Sequence, residues 1–179
     1  MGYRHDRDDI IRAAIDVVRA EGLASLSFGK VAKSLDISDR MVVYYFPTKD
    51  VLITSVVTAM GAELQVLLEG AFASEATPDE LLRAAWPILA SSKVDAVMAV
   101  YFEVVGLASA RKEPFVALAA ELVESWVAWI SELIRGGGPL ERRRLAWSIV
   151  ARIDGLLMVR QVCGARAANE AARALGIID

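Results

Sequence analysis

A chain of 179 residues that is 55% hydrophobic can bury one sizeable core, or a small head and a larger body. Charged side chains interrupt every hydrophobic stretch, so no membrane span is expected, and the charged start MGYRHDRDD has no apolar segment behind it to serve as a secretory signal. The single cysteine, Cys163, excludes an internal disulfide and points to a reducing, cytoplasmic setting.

The same inventory argues against an enzyme. His5 is the only histidine, and the chain lacks a GxSxG elbow, a P-loop, a dinucleotide fingerprint and a cysteine–histidine metal cluster. No cofactor or metal is expected. Cys163 reads either as a redox sensor or as an inert residue near a helix end. The apolar share is high for a soluble monomer, which favours a second subunit covering part of the surface.

The first predicted helix runs from about Asp8 to Glu21, with Ile11, Ile15 and Val18 at helical spacing, Ile10, Ala14 and Val17 widening the stripe, and Gly22 as its stop. Next comes SLSFGKVAKSLDISDRMVVYYFPTKDVLI, residues 25–53. Ser27 is placed to cap a second helix, with Leu26 and Val31 as its hydrophobic staple. Ser38 repeats the device for a third, with Ile37 and Val42. Two short helices joined by a tight turn, locked by Val31, Leu35 and Ile37, make a helix-turn-helix, in which the second helix of the pair enters the DNA major groove.

These residues resemble the DNA-binding segment of TetR-type transcriptional regulators. ISDRMVVYYFPTKDVLI is similar to that family's recognition helix and the F-P-x-K stretch after it, here Phe46, Pro47 and Lys49, and LSFGKVAKSLDIS is similar to its first motif helix. The resemblance covers roughly residues 8–56. Three departures stand out. Asp36 occupies a turn position where the family usually has Gly, Val43 replaces a Tyr, and Arg40 and Met41 replace Gly or small hydroxyl residues.

Side chains in the exposed first half of the third helix reach base edges, which makes Asp39, Arg40, Met41 and Tyr44 the candidates for readout. Tyr45, Lys49 and Ser38 are expected at phosphates. Ser27, Phe28 and Lys30 open the second helix, near where family members touch DNA; Gly29 between them offers no side chain. Val42 and Phe46 belong in the core. Arg4 and Arg7 form either a basic arm or a solvated end. Charge is a weaker signal, because residues 1–50 hold eight Lys/Arg against eight Asp/Glu.

Thr48 is placed to cap a fourth helix continuing to about Ala73, with Leu52, Val56, Met60, Leu64 and Leu67 or Leu68 on one face. Thr77, Pro78 and Glu80 form a capping box for a fifth, inside which lies Pro87. Ser91 or Ser92 opens a sixth. Pro114 starts a seventh, striped with Phe115, Leu118, Leu122, Trp126 and Trp129 and ended by Gly136, Gly137 and Gly138. Pro139 begins an eighth, to about Cys163, and a last short helix runs from Ala165 to Leu175. The expected fold is all-α, about nine helices, with a three-helix head over 1–50 and an effector-binding and dimerisation body over 51–179.

In that body, Trp86, Met98, Tyr101, Phe102 and Trp126 are either ordinary core or the lining of an effector pocket. Glu103 and Asp154 each interrupt an apolar helical run, so each is paired, with Arg152 or Arg160 for example, or offered to a ligand. Trp147, Val150, Leu157 and Gln161 share a face that the resemblance implies is a dimer interface. The partners expected are double-stranded DNA, a second copy of the chain and a small-molecule effector, with no membrane. The resulting reading is a ligand-responsive repressor; the alternative is a helical small-molecule-binding or protein-interaction module that has lost DNA binding.

Overall fold

The computed structural model describes residues 6–72 and 75–179. Arg4 and His5, and Ala73 and Ser74 in the expected break after the fourth helix, lie outside the described residues. Within them the chain forms nine α-helices: α1 (Arg7–Glu21), α2 (Phe28–Leu35), α3 (Asp39–Tyr45), α4 (Lys49–Glu69), α5 (Pro78–Leu89), α6 (Asp95–Ser109), α7 (Phe115–Leu133), α8 (Pro139–Cys163) and α9 (Ala165–Ala174). Short 3-10 turns at Leu23–Ser25 and Ser92–Val94 precede α2 and α6. The one extended pairing among the described residues is an isolated parallel bridge between Ala76 and Ile134.

Local chemistry sets the boundaries. Asp6 caps α1 in a reciprocal box with Asp9, so the helix starts at Arg7, one residue before the start expected from the apolar pattern. Thr48 accepts from the Val51 amide, and Thr77 exchanges bonds with Glu80, so both expected caps form. The sixth helix departs from expectation. It starts at Asp95 from a 3-10 turn, and Ser91 makes no capping bond. The seventh ends at Leu133, before the glycines, because Ile134 turns extended and the chain bonds to Ala76 on both sides of it.

Two hydrophobic clusters form, and α4 belongs to both. Leu52, Ile53, Val56, Val57 and Met60 pack with α1, α2 and α3, together with Val100 and Val104 of α6 and Leu118 and Leu122 of α7. Leu64 and Leu68 pack with α5 to α9. Serving two cores makes α4 apolar along most of its 21 residues, so that by length and composition it could cross a membrane, where the sequence reading expected no such segment; its buried residues are used inside this fold. The boundary expected at residue 50 falls in its first turn. Lower in the body, Trp86 on α5 donates to Asn169 on α9 at 3.2 Å, and Arg160 on α8 clamps Asp95 at the start of α6 through two bonds of 2.8 and 3.1 Å.

One contact ties body to head. The two carboxylate oxygens of Glu103, on α6, accept the backbone N–H groups of Leu23 and Ala24 at 3.0 and 3.1 Å. Those amides belong to the 3-10 turn after Gly22, a glycine with φ of 81° whose missing Cβ would stand 3.7 Å from the same carboxylate. Glu103 thus caps a turn 80 residues away in sequence. Glu103→Ala leaves two amides without their acceptor and is expected to lower stability by about 1–2 kcal/mol in chemical denaturation, with faster hydrogen exchange at Leu23 and Ala24. Glu103→Gln keeps one acceptor oxygen and should lose less.

Candidate nucleic-acid interface and body cavity

The helix-turn-helix forms from the signals in its sequence. Ser27 accepts from the Lys30 amide at 3.3 Å, while Leu26 and Val31 are both fully buried. The turn after α2 puts Asp36 in the left-handed region at φ 54°, ψ 43°, a conformation that Asp tolerates better than most side chains. The Ile37 amide then bonds back to the Ala32 carbonyl at 3.0 Å and closes the turn. Val42 and Phe46 are fully buried, which fixes the rotation of α3 about its axis.

That rotation exposes Asp39, Arg40, Met41 and Tyr44, the four residues expected to reach base edges, and Tyr44 is 79% exposed. Ser27, Ser38 and Lys49 are exposed beside them. The details differ from the sequence reading at several positions. Ser38 sits at the N-cap position but makes no side-chain bond to α3, so its hydroxyl is not spent on capping. Phe28 and Tyr45 are half-buried against the head core, and Tyr45 meets Tyr44 edge-on at 5.0 Å. Lys30 is held by Glu21 in an exposed ion pair. The Asp39 carboxylate lies over Gly29, where a Cβ would stand 3.5 Å from it, in ordinary van der Waals contact. Arg7 is no free arm: it lies in the first turn of α1, stacked 5.1 Å over the Phe46 ring and bonded to Ser55.

The body holds a cavity of about 100 Å³ enclosed by α4 to α8. Met98, Tyr101, Trp126 and Asp154 line it, joined by Trp129 and Phe72. Trp129 was legible as the next step of the α7 stripe, whereas Phe72 follows the end of α4 and carries no periodic signal. Trp86, Phe102 and Glu103 do not line it. Trp86 is 2% exposed and turned toward Asn169, Phe102 packs edge-on to Tyr101, and Glu103 is engaged with the head.

Asp154 is the only carboxylate on the cavity wall. Neither arginine expected to pair with it does so, since Arg152 bonds Asp79 and Arg160 bonds Asp95. Its partner is the Tyr101 hydroxyl, which donates at 2.9 Å. Burial pushes the Asp154 carboxyl above its ordinary range, with the Tyr101 bond opposing in part. Burial, and then the charge of Asp154, drive the Tyr101 phenol far above its own.

The four residues expected at a dimer interface are divided by the structure. Val150 and Leu157 are buried and line the cavity; Trp147 and Gln161 are on the outside, with the Gln161 amide donating to the Asp95 carbonyl. The apolar face that α8 leaves exposed is rotated from the expected one: Trp147, Ala151, Met158 and Val162, with Gly155 opening onto empty space. Sequence periodicity could not separate the two faces, because α8 is apolar on both.

Comparison with known proteins supplies the family. Residues 10–56 match the profile of bacterial regulatory proteins of the tetR family. No curated protein sequence matches the chain. Among solved structures, a Rhodococcus sp. protein assigned to the TetR-family transcriptional regulators is similar over 96% of this chain and 97% of its own, with TM-score 0.75 and 17% identity. A TetR transcriptional regulator from Legionella pneumophila is similar over 98% and 97%, with TM-score 0.69 and 17% identity. The multidrug binding protein EbrR complexed with imidazole is 27% identical over 100% of this chain and 94% of its own, with TM-score 0.69. In complex with proflavin it aligns at 25% identity over 96% and 99%, with TM-score 0.68.

Residues 10–56 are therefore a DNA-binding head of the tetR family of bacterial regulatory proteins. This helix-turn-helix head is a DNA-binding device for regulating transcription. The second helix of the motif is α3, carried directly on α4, the helix that also walls the cavity.

Asp154 also sets a pH dependence. Its carboxyl holds a proton more firmly in the folded chain than in the unfolded one, so the ionised form opposes folding above its raised pKa, and that penalty fades as pH falls through it. Asp154→Asn keeps an acceptor for Tyr101 and removes the charge. The variant should melt above the wild type at about pH 8, with the gap closing toward about pH 4. Parallel thermal melts across that range check it.

Proposed function

We propose that the chain is a cytoplasmic transcriptional repressor that binds a near-palindromic operator as a homodimer and is released by a small-molecule effector held in the body cavity. In this reading residues 1–50 are the DNA-binding domain, and residues 51–179 bind the effector and dimerise. The observation that carries it is the double use of α4, with the head core at one end and the cavity wall at the other.

Arg40 is the principal base reader, since a guanidinium bonds guanine through two hydrogen bonds, a contact that discriminates by about 1–3 kcal/mol. Asp39, Met41 and Tyr44 read neighbouring positions, Met41 against a thymine methyl. Ser27, Ser38, Tyr45 and Lys49 position the helix on phosphates, and Lys30 joins them by exchanging Glu21 for phosphate. The exposed face of α8, continued by Leu175 beyond α9, pairs with its symmetry mate. The dimer sets two copies of α3 about 34–36 Å apart, one turn of DNA.

An apolar cavity of roughly 150 Å³ admits a single benzene ring. At about 100 Å³ this one must widen to take a larger effector, and α4 is one of its walls. Binding would then favour states in which α4 has moved and the two heads no longer fit the operator. The EbrR complexes, with imidazole and with proflavin, support a ring-shaped effector in such a body.

The even charge balance of residues 1–50 favours the second reading, a helical binding module without DNA affinity. Selection from a random duplex pool at near-physiological salt decides between them. The repressor reading expects an enriched near-palindrome, affinity that falls steeply with salt, and loss of binding in the Arg40→Ala, Lys49→Ala variant. No enrichment at a concentration where the dimer is present would favour the module. For the interface, Met158→Glu with Val162→Glu should convert the dimer to a folded monomer in sedimentation; an unchanged dimer would place the interface elsewhere.

A further inference from the structure

The cavity wall is largely apolar, and among the described residues no cation pairs with Asp154, Arg152 and Arg160 being engaged with Asp79 and Asp95. A carboxylate withdrawn from water with one neutral hydroxyl as partner has unused acceptor capacity and a standing desolvation cost. Four aromatic rings line the same cavity, Phe72, Tyr101, Trp126 and Trp129, with Trp126 and Trp129 edge to face at 5.4 Å and Phe72 tilted against Trp129 at 5.7 Å. Aromatic faces attract organic cations, most strongly where water is excluded.

We propose that the body cavity is a binding site for small organic cations carrying one aromatic ring, with Asp154 as the counter-ion and the Trp126–Trp129 pair as the ring contact. The inference rests on the reading of the cavity as the effector site and adds the chemical class it selects. The ammonium takes the acceptor positions that Tyr101 leaves open, and the ring fills the apolar remainder of the cavity once it has widened to admit it. A neutral ring of equal size gains only the second part. An anion meets Asp154 directly and is excluded. Tyr101 sits on α6 two positions from Glu103, so the residue that shares Asp154 with the cation and the residue that caps the head turn share one helix and leave it on opposite sides.

The test uses the full-length protein without DNA and two isosteric probes, benzylammonium and benzyl alcohol, by calorimetry. The proposal expects benzylammonium to bind at least about tenfold more tightly. That preference should vanish in Asp154→Asn, whose melting curve reports that it is folded, and persist in Tyr101→Phe, which keeps the carboxylate. Equal affinities in the wild type, a preference that survives Asp154→Asn, loss of the preference in Tyr101→Phe, or no binding of either probe at millimolar concentration would each overturn it. Preference for the cation with no change in operator affinity would uphold the site and remove the effector role proposed above, so the two readings fail separately.

Discussion

The structure depends on the continuity of α4. A helix of 21 residues that starts beneath the recognition helix and ends beside the cavity has no linker in which a movement could be lost. Its residues Leu52 to Met60 are buried with the head, and Leu64 and Leu68 with the body. Val57 and Met60 line the cavity while belonging to the head cluster. Close-packed interiors shift between discrete arrangements and do not deform smoothly. In the proposed reading, a change in cavity occupancy would reach the head as a displacement of the helix that carries α3.

The Glu103 bonds give that displacement a second point of purchase. The head contacts the body along α4, along α6 through Glu103, Val100 and Val104, and through the Arg19–Glu63 ion pair. The ion pair is exposed and contributes little. The Glu103 bonds are charge-assisted and seated on the Leu23 and Ala24 amides, which open the 3-10 turn, while the Ser25 amide bonds back to the Gly22 carbonyl. Two attachments hold a rigid head at a defined angle where one would leave a hinge. The angle at which α3 is presented then depends on both attachments, and the effector proposed above would act by favouring whichever angle its occupied cavity requires.

Much of this was legible in the residues. Ser27, Thr48 and the Thr77–Glu80 box marked helix starts, because a cap is a local bond between near neighbours. Val42 and Phe46 declared the buried side of α3, and with it the exposed residues 39–41 and 44. What the sequence left hidden is non-local. Glu103 and Asp154 looked alike, each a carboxylate inside an apolar run, and only the fold sends one to a backbone turn 80 residues away and the other to the cavity. The faces of α8 were hard to separate for a related reason: Val150 and Leu157 lie seven residues apart on one side, Trp147 and Val162 on another, and a helix with apolar residues on two faces gives periodicity nothing to choose between. Asp6 as the cap of α1 was missed because the apolar pattern, and not the capping chemistry, was used to place that end.

The most direct test of coupling between head and body is hydrogen exchange of the dimer alone and bound to its selected operator. The account predicts changes in protection beyond α1 to α3, reaching residues 57–64 of α4 and 97–104 of α6, where the cavity wall and the Glu103 attachment lie. Changes confined to the head, with those body segments identical in both states, would contradict it: α4 would then be a passive support, and the cavity would have no route to the DNA.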